Sequence, residues 1–241
     1  MVGWKRHQHF GLRREWVDSY LANRQGWREG QDLGNRQIES LATWLKTAGI
    51  EDEDGGLIIL GEQLLDKGTT CLPLWEVVWV NVVFNFPTAR WYVHLGLGEW
   101  STVDLRMRLM ATVLRLKECT ANVAVMELTG LLEHTPVGEG LQQGVVTPSR
   151  PRRVLRRGKK PCDAALVHAV GRVYLEENCP RLLLASDLTW PWVIFGCSRN
   201  AVLGRLSVLG QDWFTIDEHG VTILKEDKEW WRCGAMLTTL L

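Results

Sequence analysis

A unit of helix, turn and short extended segment occurs twice in this 241-residue chain, and its two copies keep register over a shift of 164 residues. In the first copy Asp32-Leu33-Gly34-Asn35-Arg36 opens a helix whose apolar residues Ile38, Leu41 and Leu45, flanked by Trp44, recur at helical spacing. Gly49 ends it, and after the turn residues Glu51 to Gly56 the run Leu57-Ile58-Ile59-Leu60 reads as a short strand. The shift carries Ile38 onto Val202, Leu45 onto Leu209, Ile50 onto Phe214, Asp54 onto Glu218 and Gly56 onto Gly220. Leu57, Ile59, Leu60 and Glu62 then fall on Val221, Ile223, Leu224 and Glu226 without a gap. Helix, turn and hairpin form the core of a winged helix, a variant of the helix-turn-helix that docks on DNA. Two such modules in one chain point to a protein that handles nucleic acid.

Periodicity places the remaining elements. Arg13 to Asn23 reads as a first helix with Trp16, Tyr20 and Leu21 on one face. Pro73 opens a helix that runs to Asn85, and Ala89 to Leu95 continues as another apolar helix. Ser101 and Asp104 form a capping-box-like start for Leu105, Leu109, Val113 and Leu116. A shorter helix from Asn122 to Glu133 follows, then an aperiodic stretch from Val137 to Pro161. Beyond it come an amphipathic helix from Cys162 to Glu177, a short strand from Arg181 to Leu184, a break at Trp190-Pro191-Trp192 and a helix over Arg199–Leu209. A hairpin of Trp213–Ile216 with Val221–Leu224 closes the second copy, its turn ending on Gly220. The fold class is therefore mainly α with short β-hairpins (α+β), with two winged-helix-like modules flanking a Trp-rich helical region. The expected units are an N-terminal arm and module (1–70), a helical region (71–136), a basic linker (137–161) and a C-terminal module (162–241). The thirteen tryptophans, with Trp75, Trp79, Trp91 and Trp100 clustered mid-chain, read as core before they read as stacking platforms for bases.

Equal numbers of acidic and basic residues, 28 of each, conceal a strong polarity. Arg150, Arg152, Arg153, Arg156, Arg157, Lys159 and Lys160 place seven positive charges within eleven residues, leaving 21 basic against 28 acidic residues elsewhere. Such a run is either a solvated linker, as Pro148, Pro151, Gly158 and Pro161 suggest, or a phosphate-binding surface. No apolar run approaches the ~18 residues of a membrane span, and Met1 to Gln8 is too polar for a secretory signal. Six cysteines without CxxC spacing fit reduced thiols and a cytoplasmic location.

Signatures of phosphate-loop, serine-hydrolase and zinc-protease chemistry are missing. Glu226-Asp227-Lys228, with Asp212 or Asp217 upstream, is the nearest match to a metal-dependent nuclease triplet, but it falls just past a wing, where charged residues are common. The N-terminal His7-Gln8-His9-Phe10-Gly11-Leu12-Arg13-Arg14-Glu15-Trp16 gathers proton-transfer and phosphate-neutralising groups in one arm. Its bland alternative is an arm stapled by Phe10 and Leu12 with solvated polar residues. His94, beside Trp91 and Tyr92, reads as a partly buried structural histidine. Asn81 and Asn85, one turn apart among apolar residues, must find partners and so should bridge neighbouring helices.

That N-terminal arm resembles the opening H-x-x-F-x-L-R-x-x-W pattern of the SspB-like family of bacterial DNA phosphorothioation (Ssp) systems. Leu33-Gly34-Asn35-Arg36-Gln37-Ile38-Glu39-Ser40-Leu41, Leu60-Gly61-Glu62, Asn81, Asn85, Trp91-Tyr92 and Trp190-Pro191-Trp192-Val193-Ile194-Phe195-Gly196 resemble its later blocks. Gly11 departs from it, standing where relatives often have Pro. The resemblance implies the DNA-nicking component of a phosphorothioate modification and phage-defence system. Its partners would be duplex DNA and sulfur-transfer enzymes: a cysteine desulfurase, an ATP-pyrophosphatase-like enzyme and an ATPase. Self-association is open. No cofactor is evident, and a divalent metal such as magnesium enters only with nicking. On this reading His7 and Arg13, assisted by His9 and Glu15, are the catalytic candidates. Asn35, Arg36 and Gln37 would face the duplex from the second helix, and the seven basic residues of the linker would hold its phosphates. A non-enzymatic DNA-binding adaptor and a winged-helix regulator are the alternatives. Arg36→Ala should weaken specific binding by ~1–3 kcal/mol if Arg36 reads a base edge, measured by titration of a labelled duplex.

Overall fold

Leu74 to Val83 is buried on every side, so the helix that carries it has no solvent face and forms the axis around which the chain packs. The described residues of this computed structural model are 3–4, 6–27, 33–209 and 212–241. Asp32, expected at the mouth of the second helix, lies outside them, as do Met1, Val2 and Lys5 of the polar N-terminal segment. The first half runs α1 (Arg14–Ala22), α2 (Asn35–Thr47), α3 (Ile59–Lys67), α4 (Leu72–Asn85), α5 (Pro87–His94), β1 (Gly98–Ser101), α6 (Thr102–Thr112) and α7 (Glu118–His134). Then follow β2 (Val145–Thr147), β3 (Arg153–Arg156), α8 (Asp163–Glu177), β4 (Arg181–Leu183), α9 (Pro191–Phe195), α10 (Arg199–Leu209), β5 (Phe214–Ile216), β6 (Gly220–Ile223), α11 (Lys228–Cys233) and α12 (Leu237–Leu240). The protein is mainly helical, with mixed α+β architecture.

α4 begins with Pro73 in its first turn, where a missing N–H costs nothing. It packs against α8, α5, α3 and α2. Trp75, Trp79, Trp91 and Trp100 are all core residues. Three of their indole groups find acceptors: Trp75 Nε1 donates to Thr69 O at 2.7 Å, Trp79 Nε1 to Ile194 O at 3.0 Å and Trp91 Nε1 to Thr112 Oγ1 at 3.4 Å. Burying a large side chain contributes roughly 1.5–3 kcal/mol, so this aromatic layer dominates the central packing. Asn81 and Asn85 bridge helices as expected, their Nδ2 groups donating to Ala48 O and Thr47 O at the end of α2. The capping box of α6 forms: Ser101 Oγ accepts from Asp104 N, and Asp104 Oδ2 accepts from Ser101 N. α6 nevertheless stops at Thr112, short of Leu116, and α7 starts at Glu118, four residues before the position expected from Asn122.

The repeat survives in the fold. α2 opens at Asn35 and α10 at Arg199, the same 164 residues apart. In the second copy the hairpin is complete, with Ile216 opposite Val221 and Thr215 opposite Thr222. The first copy shrinks to one bridge between Glu51 and Leu57. The strand expected over Leu57 to Leu60 is corrected: α3 begins at Ile59, because Leu60 and Leu64, four residues apart, both turn into the core. Gly61 permits this helix its position, since a Cβ there would lie 2.4 Å from Ile50 O.

The stretch expected as an aperiodic linker is also corrected. β2 and β3 lie within it and join β1 in an antiparallel sheet of order β1-β3-β2, with Trp100 and Val146 both opposite Val154. Arg156, expected on a phosphate-binding surface, is 1% exposed. Its guanidinium donates to Gln143 Oε1 (3.1 Å), Val93 O (2.8 Å), Gly96 O (3.0 Å), Val193 O (2.8 Å) and Ile194 O (2.9 Å). The second sheet, of order β4-β6-β5, pairs Leu182 and Ile216 with Val221 from opposite sides. The C-terminal elements thus run helix, strand, short helix, helix and hairpin, with the lone strand against the hairpin's second strand.

Arg156→Met removes five donated hydrogen bonds and leaves their acceptors buried, so it should cost at least ~3 kcal/mol in a urea unfolding titration. A loss below about 1 kcal/mol would show that water replaces the guanidinium.

Candidate nucleic-acid interface

The helical pair α9 and α10 meets the end of the basic segment. Trp190 precedes Pro191 at the start of α9, and Gly196, in the left-handed region at φ 63°, ends it. Ser198 then caps α10: its Oγ accepts from Ala201 N at 3.4 Å. Val202 and Leu206 bury the inner face of α10, while Arg199, Asn200, Gly204, Ser207 and Val208 stay exposed. The outer face therefore holds small, polar or basic residues and no carboxylate. Arg205, at the flank, is paired with Asp163. Arg199 lies over the Trp192 ring at 5.3 Å, and Trp192 stacks on Trp190 at 5.0 Å, so the cation at the mouth of α10 rests on an aromatic shelf.

The basic segment is zipped to this shelf. Lys159 N donates to Phe195 O at 3.0 Å, and Arg157 N and Gly158 N both donate to Gln142 O. Gly158, at φ 73°, abuts Gly196 so closely that a Cβ would lie 2.1 Å from its carbonyl oxygen. The backbone of the basic segment thus lies against the end of α9, and the side chains of Arg157, Lys159 and Lys160 are exposed. Lys159 Nζ also donates to Gly140 O at 3.1 Å. The other basic candidates divide. Arg152 pairs with Glu133 at 2.6 Å and Arg153 forks onto Glu99 at 2.9 and 3.3 Å, which spends part of their charge. Arg150 is exposed, and Arg156 is withdrawn into the core.

In the first copy Asn35 and Arg36 are exposed at the mouth of α2. Gln37 is half-buried, and its Oε1 accepts from Gly34 N at 2.9 Å, capping the helix instead of reaching outward.

The N-terminal arm closes on itself. His7 is fully buried, its ring stacked on Trp44 at 3.6 Å, with Nδ1 3.3 Å from Glu127 Oε2 and Nε2 3.1 Å from Thr47 Oγ1. Glu127, mid-way along α7, also accepts the backbone N–H groups of Arg6, His7 and His9. Burial pushes His7 below its ordinary value, against the opposing hydrogen bond and charge of Glu127. Arg13 lies over the Trp16 ring at 5.3 Å, while His9 and Glu15 are exposed. The four catalytic candidates therefore do not converge: His7 faces inward, Arg13 covers a tryptophan, and the other two face solvent. Glu127 is the group that sequence reasoning missed, and a carboxylate between Met126 and Leu128 in an apolar helix was the available signal. Gly11 lies against Gly130, where a Cβ would sit 2.1 Å from Leu131 N, so no larger residue has room here.

The remaining candidates are engaged in structure. Asp227 caps α11, accepting from Glu229 N and Trp230 N, and Lys228 bonds Asn178. Arg181 bonds Asp217 and holds its carboxyl well below the usual carboxylate range. His94 is exposed, with Nε2 3.3 Å from Thr189 Oγ1. Among the described residues no three His, Cys, Asp or Glu side chains gather to hold a metal ion. No helix among them is long and apolar enough to cross a membrane.

Two buried histidines contribute to the acid response. Burial depresses His7, and it lowers His168 to about 3, so both are neutral in the folded protein near pH 7. In the unfolded chain each takes up a proton near its ordinary pKa of ~6.5. Their contribution is therefore complete above that value and is lost as pH falls through the interval below it, at up to about 1.4 kcal/mol per pH unit for each. Urea midpoints should fall between pH 7 and pH 5, and His168→Gln should fall less steeply than the parent.

The sequence matches no protein-family model and no curated protein. Its fold is similar to that of the magnesium ion-bound SspB crystal structure, at 13% sequence identity and a TM-score of 0.62, over 97% of this chain and 86% of that chain. At that identity the likeness is one of fold.

Proposed function

We propose that this protein binds duplex DNA through α10 and the adjoining basic segment, as a component of a DNA phosphorothioate modification and phage-defence system. The observation that carries the binding is the exposed, carboxylate-free face of α10, with Arg199 at its mouth and the basic segment joined to the end of α9 that precedes it. The order α8, β4, α9, α10, β5, β6, with β4 against β6, supports a winged-helix reading in which α10 would be the recognition helix. Arg199 and Asn200 offer the bidentate groups that suit guanine and adenine edges in the major groove. The system is suggested by the SspB-like fold together with the residues of the N-terminal arm. The sulfur-transfer enzymes would be its protein partners there.

Nicking of one strand is the activity that the likeness to SspB would add, with a divalent ion such as magnesium. The burial of His7 favours the adaptor, because a fully buried imidazole does not reach a phosphate. Supercoiled plasmid incubated with the protein and Mg²⁺ decides between them: open-circular product supports the nickase, and retarded but intact plasmid supports the adaptor.

Changing Arg157, Lys159 and Lys160 together to Gln should lower affinity about equally for all sequences and reduce the salt slope by about 0.9 for each phosphate that is no longer neutralised. Asn200→Ala should instead relax preference at one or two base pairs in a selection from random duplexes. Unchanged affinity and salt slope in the triple variant would remove this face from the interface.

A further inference from the structure

On the far side of the core a cavity of about 450 Å³ opens between α2, α4, α8 and the turn joining α11 to α12. Its floor is polar and its walls are not. On the floor Arg172 NH1 donates to Asn81 Oδ1 and NH2 to Asn85 Oδ1, both at 2.7 Å, while the guanidinium lies 5.0 Å over the Phe84 ring. Both amides are themselves pinned by α2, through Ala48 O and Thr47 O. Arg172 is thereby fixed in one orientation with neutral acceptors, and among the described residues no carboxylate pairs with it. Of the two carboxylates that line the cavity, Glu51 is bonded by Tyr20, and Glu176 pairs with Arg90 while its charge also favours the cationic form of Arg172. Burial lowers Arg172 only to about 10, so it carries its charge at neutral pH.

His168 lines the same cavity and is 5% exposed. Asn81 Nδ2 donates to Ala48 O, so its Oδ1 faces both Arg172 and His168 Nε2, the latter at 2.8 Å. A neutral imidazole in that position carries its proton on Nε2 and leaves Nδ1 as a bare acceptor, and Nδ1 has no partner. A buried acceptor left unsatisfied costs about 1–3 kcal/mol. The cavity thus offers a fixed cation and apolar walls from Ile58, Leu175 and Leu237, while His168 Nδ1 stays buried behind it. Its size lies within the ~300–1,000 Å³ of small-molecule sites.

We propose that this cavity binds a phosphate monoester with a flat apolar body, the nucleoside monophosphates being a class with both features. The phosphate docks on Arg172, the base fills the apolar part, and the rim cations Lys46 and Arg232 are held by Glu53 and Glu229. The site is separate from the α10 face, and its occupancy does not depend on DNA binding.

Calorimetric titration of the full chain with AMP and with adenosine tests this. AMP should bind saturably at or below about millimolar Kd, and adenosine at least tenfold more weakly. Arg172→Gln should lose AMP binding. Asn85→Asp, which sets a carboxylate against Arg172 and keeps one acceptor for it, should weaken binding tenfold or more even if the first variant folds poorly. The Arg157, Lys159 and Lys160 triple Gln variant should bind AMP as the parent does. Equal affinity for adenosine, absence of AMP binding by the parent, undiminished binding in Asn85→Asp, or loss in the triple variant would each overturn the assignment.

Discussion

The Arg156 guanidinium is the tie on which the arrangement of this protein depends. Its acceptors come from four places in the chain: the Gln143 loop, the end of α5, the turn after it, and α9. A planar group with five donors can close several carbonyl-rich chain ends at once, which no neutral side chain of similar size can do. The charge is costly to bury. Burial pulls Arg156 down to about 10, and the Tyr92 ring, 5.7 Å from its Cζ, supplies part of the compensation. Because Val193 and Ile194 belong to α9, the same side chain that closes the first sheet also fixes where α10 begins. Gly158 and Gly196, back to back with no room for a Cβ, complete the seam.

How much of this was legible follows from the length and periodicity of each element. α4 and α8 run for fourteen and fifteen residues with apolar faces that admit no strand alternative. β2 and β3 have three and four residues in a stretch dominated by Pro, Gly and Arg, where periodicity has no length in which to appear. Yet the period of two was present: Val154 and Arg156 share the inward face of β3, and Arg153 and Leu155 the other. The charge of Arg156 concealed it, because a guanidinium inside a cationic run reads as solvated until its carbonyl partners are known. Leu57 to Leu60 failed for the opposite reason. Four apolar residues fit helix and strand equally, and the burial of Leu64 one turn on decided for the helix.

The N-terminal arm shows how a cluster of residues can act together in a role other than the one its composition suggests. His7, Phe10, Leu12, Arg13 and Trp16 form a lock between α2 and α7. Trp44 stacks on His7 and donates to Phe10 O, while Ser40 Oγ donates to His7 O. The partner that decides the matter, Glu127, is 120 residues away in sequence. Histidines and arginines clustered in a polar arm look like acid–base machinery only while the burying surface is unseen. Once three backbone N–H groups converge on Glu127, the arm has the fixed geometry of a structural clasp.

Charge distribution then restricts how a duplex could lie. The turn between β5 and β6 exposes Asp217, Glu218 and His219; Arg181 offsets Asp217, and Glu218 repels phosphate. A wing of this sign cannot lie along a backbone as a basic wing would. Exposed cations stand at the mouth of α10, Arg199, and on the basic segment, Arg157, Lys159 and Lys160. The near-neutral total of the chain is therefore a sum over unlike surfaces, and on the proposed reading a repulsive hairpin and attractive cations would orient α10 on a duplex before any base is read.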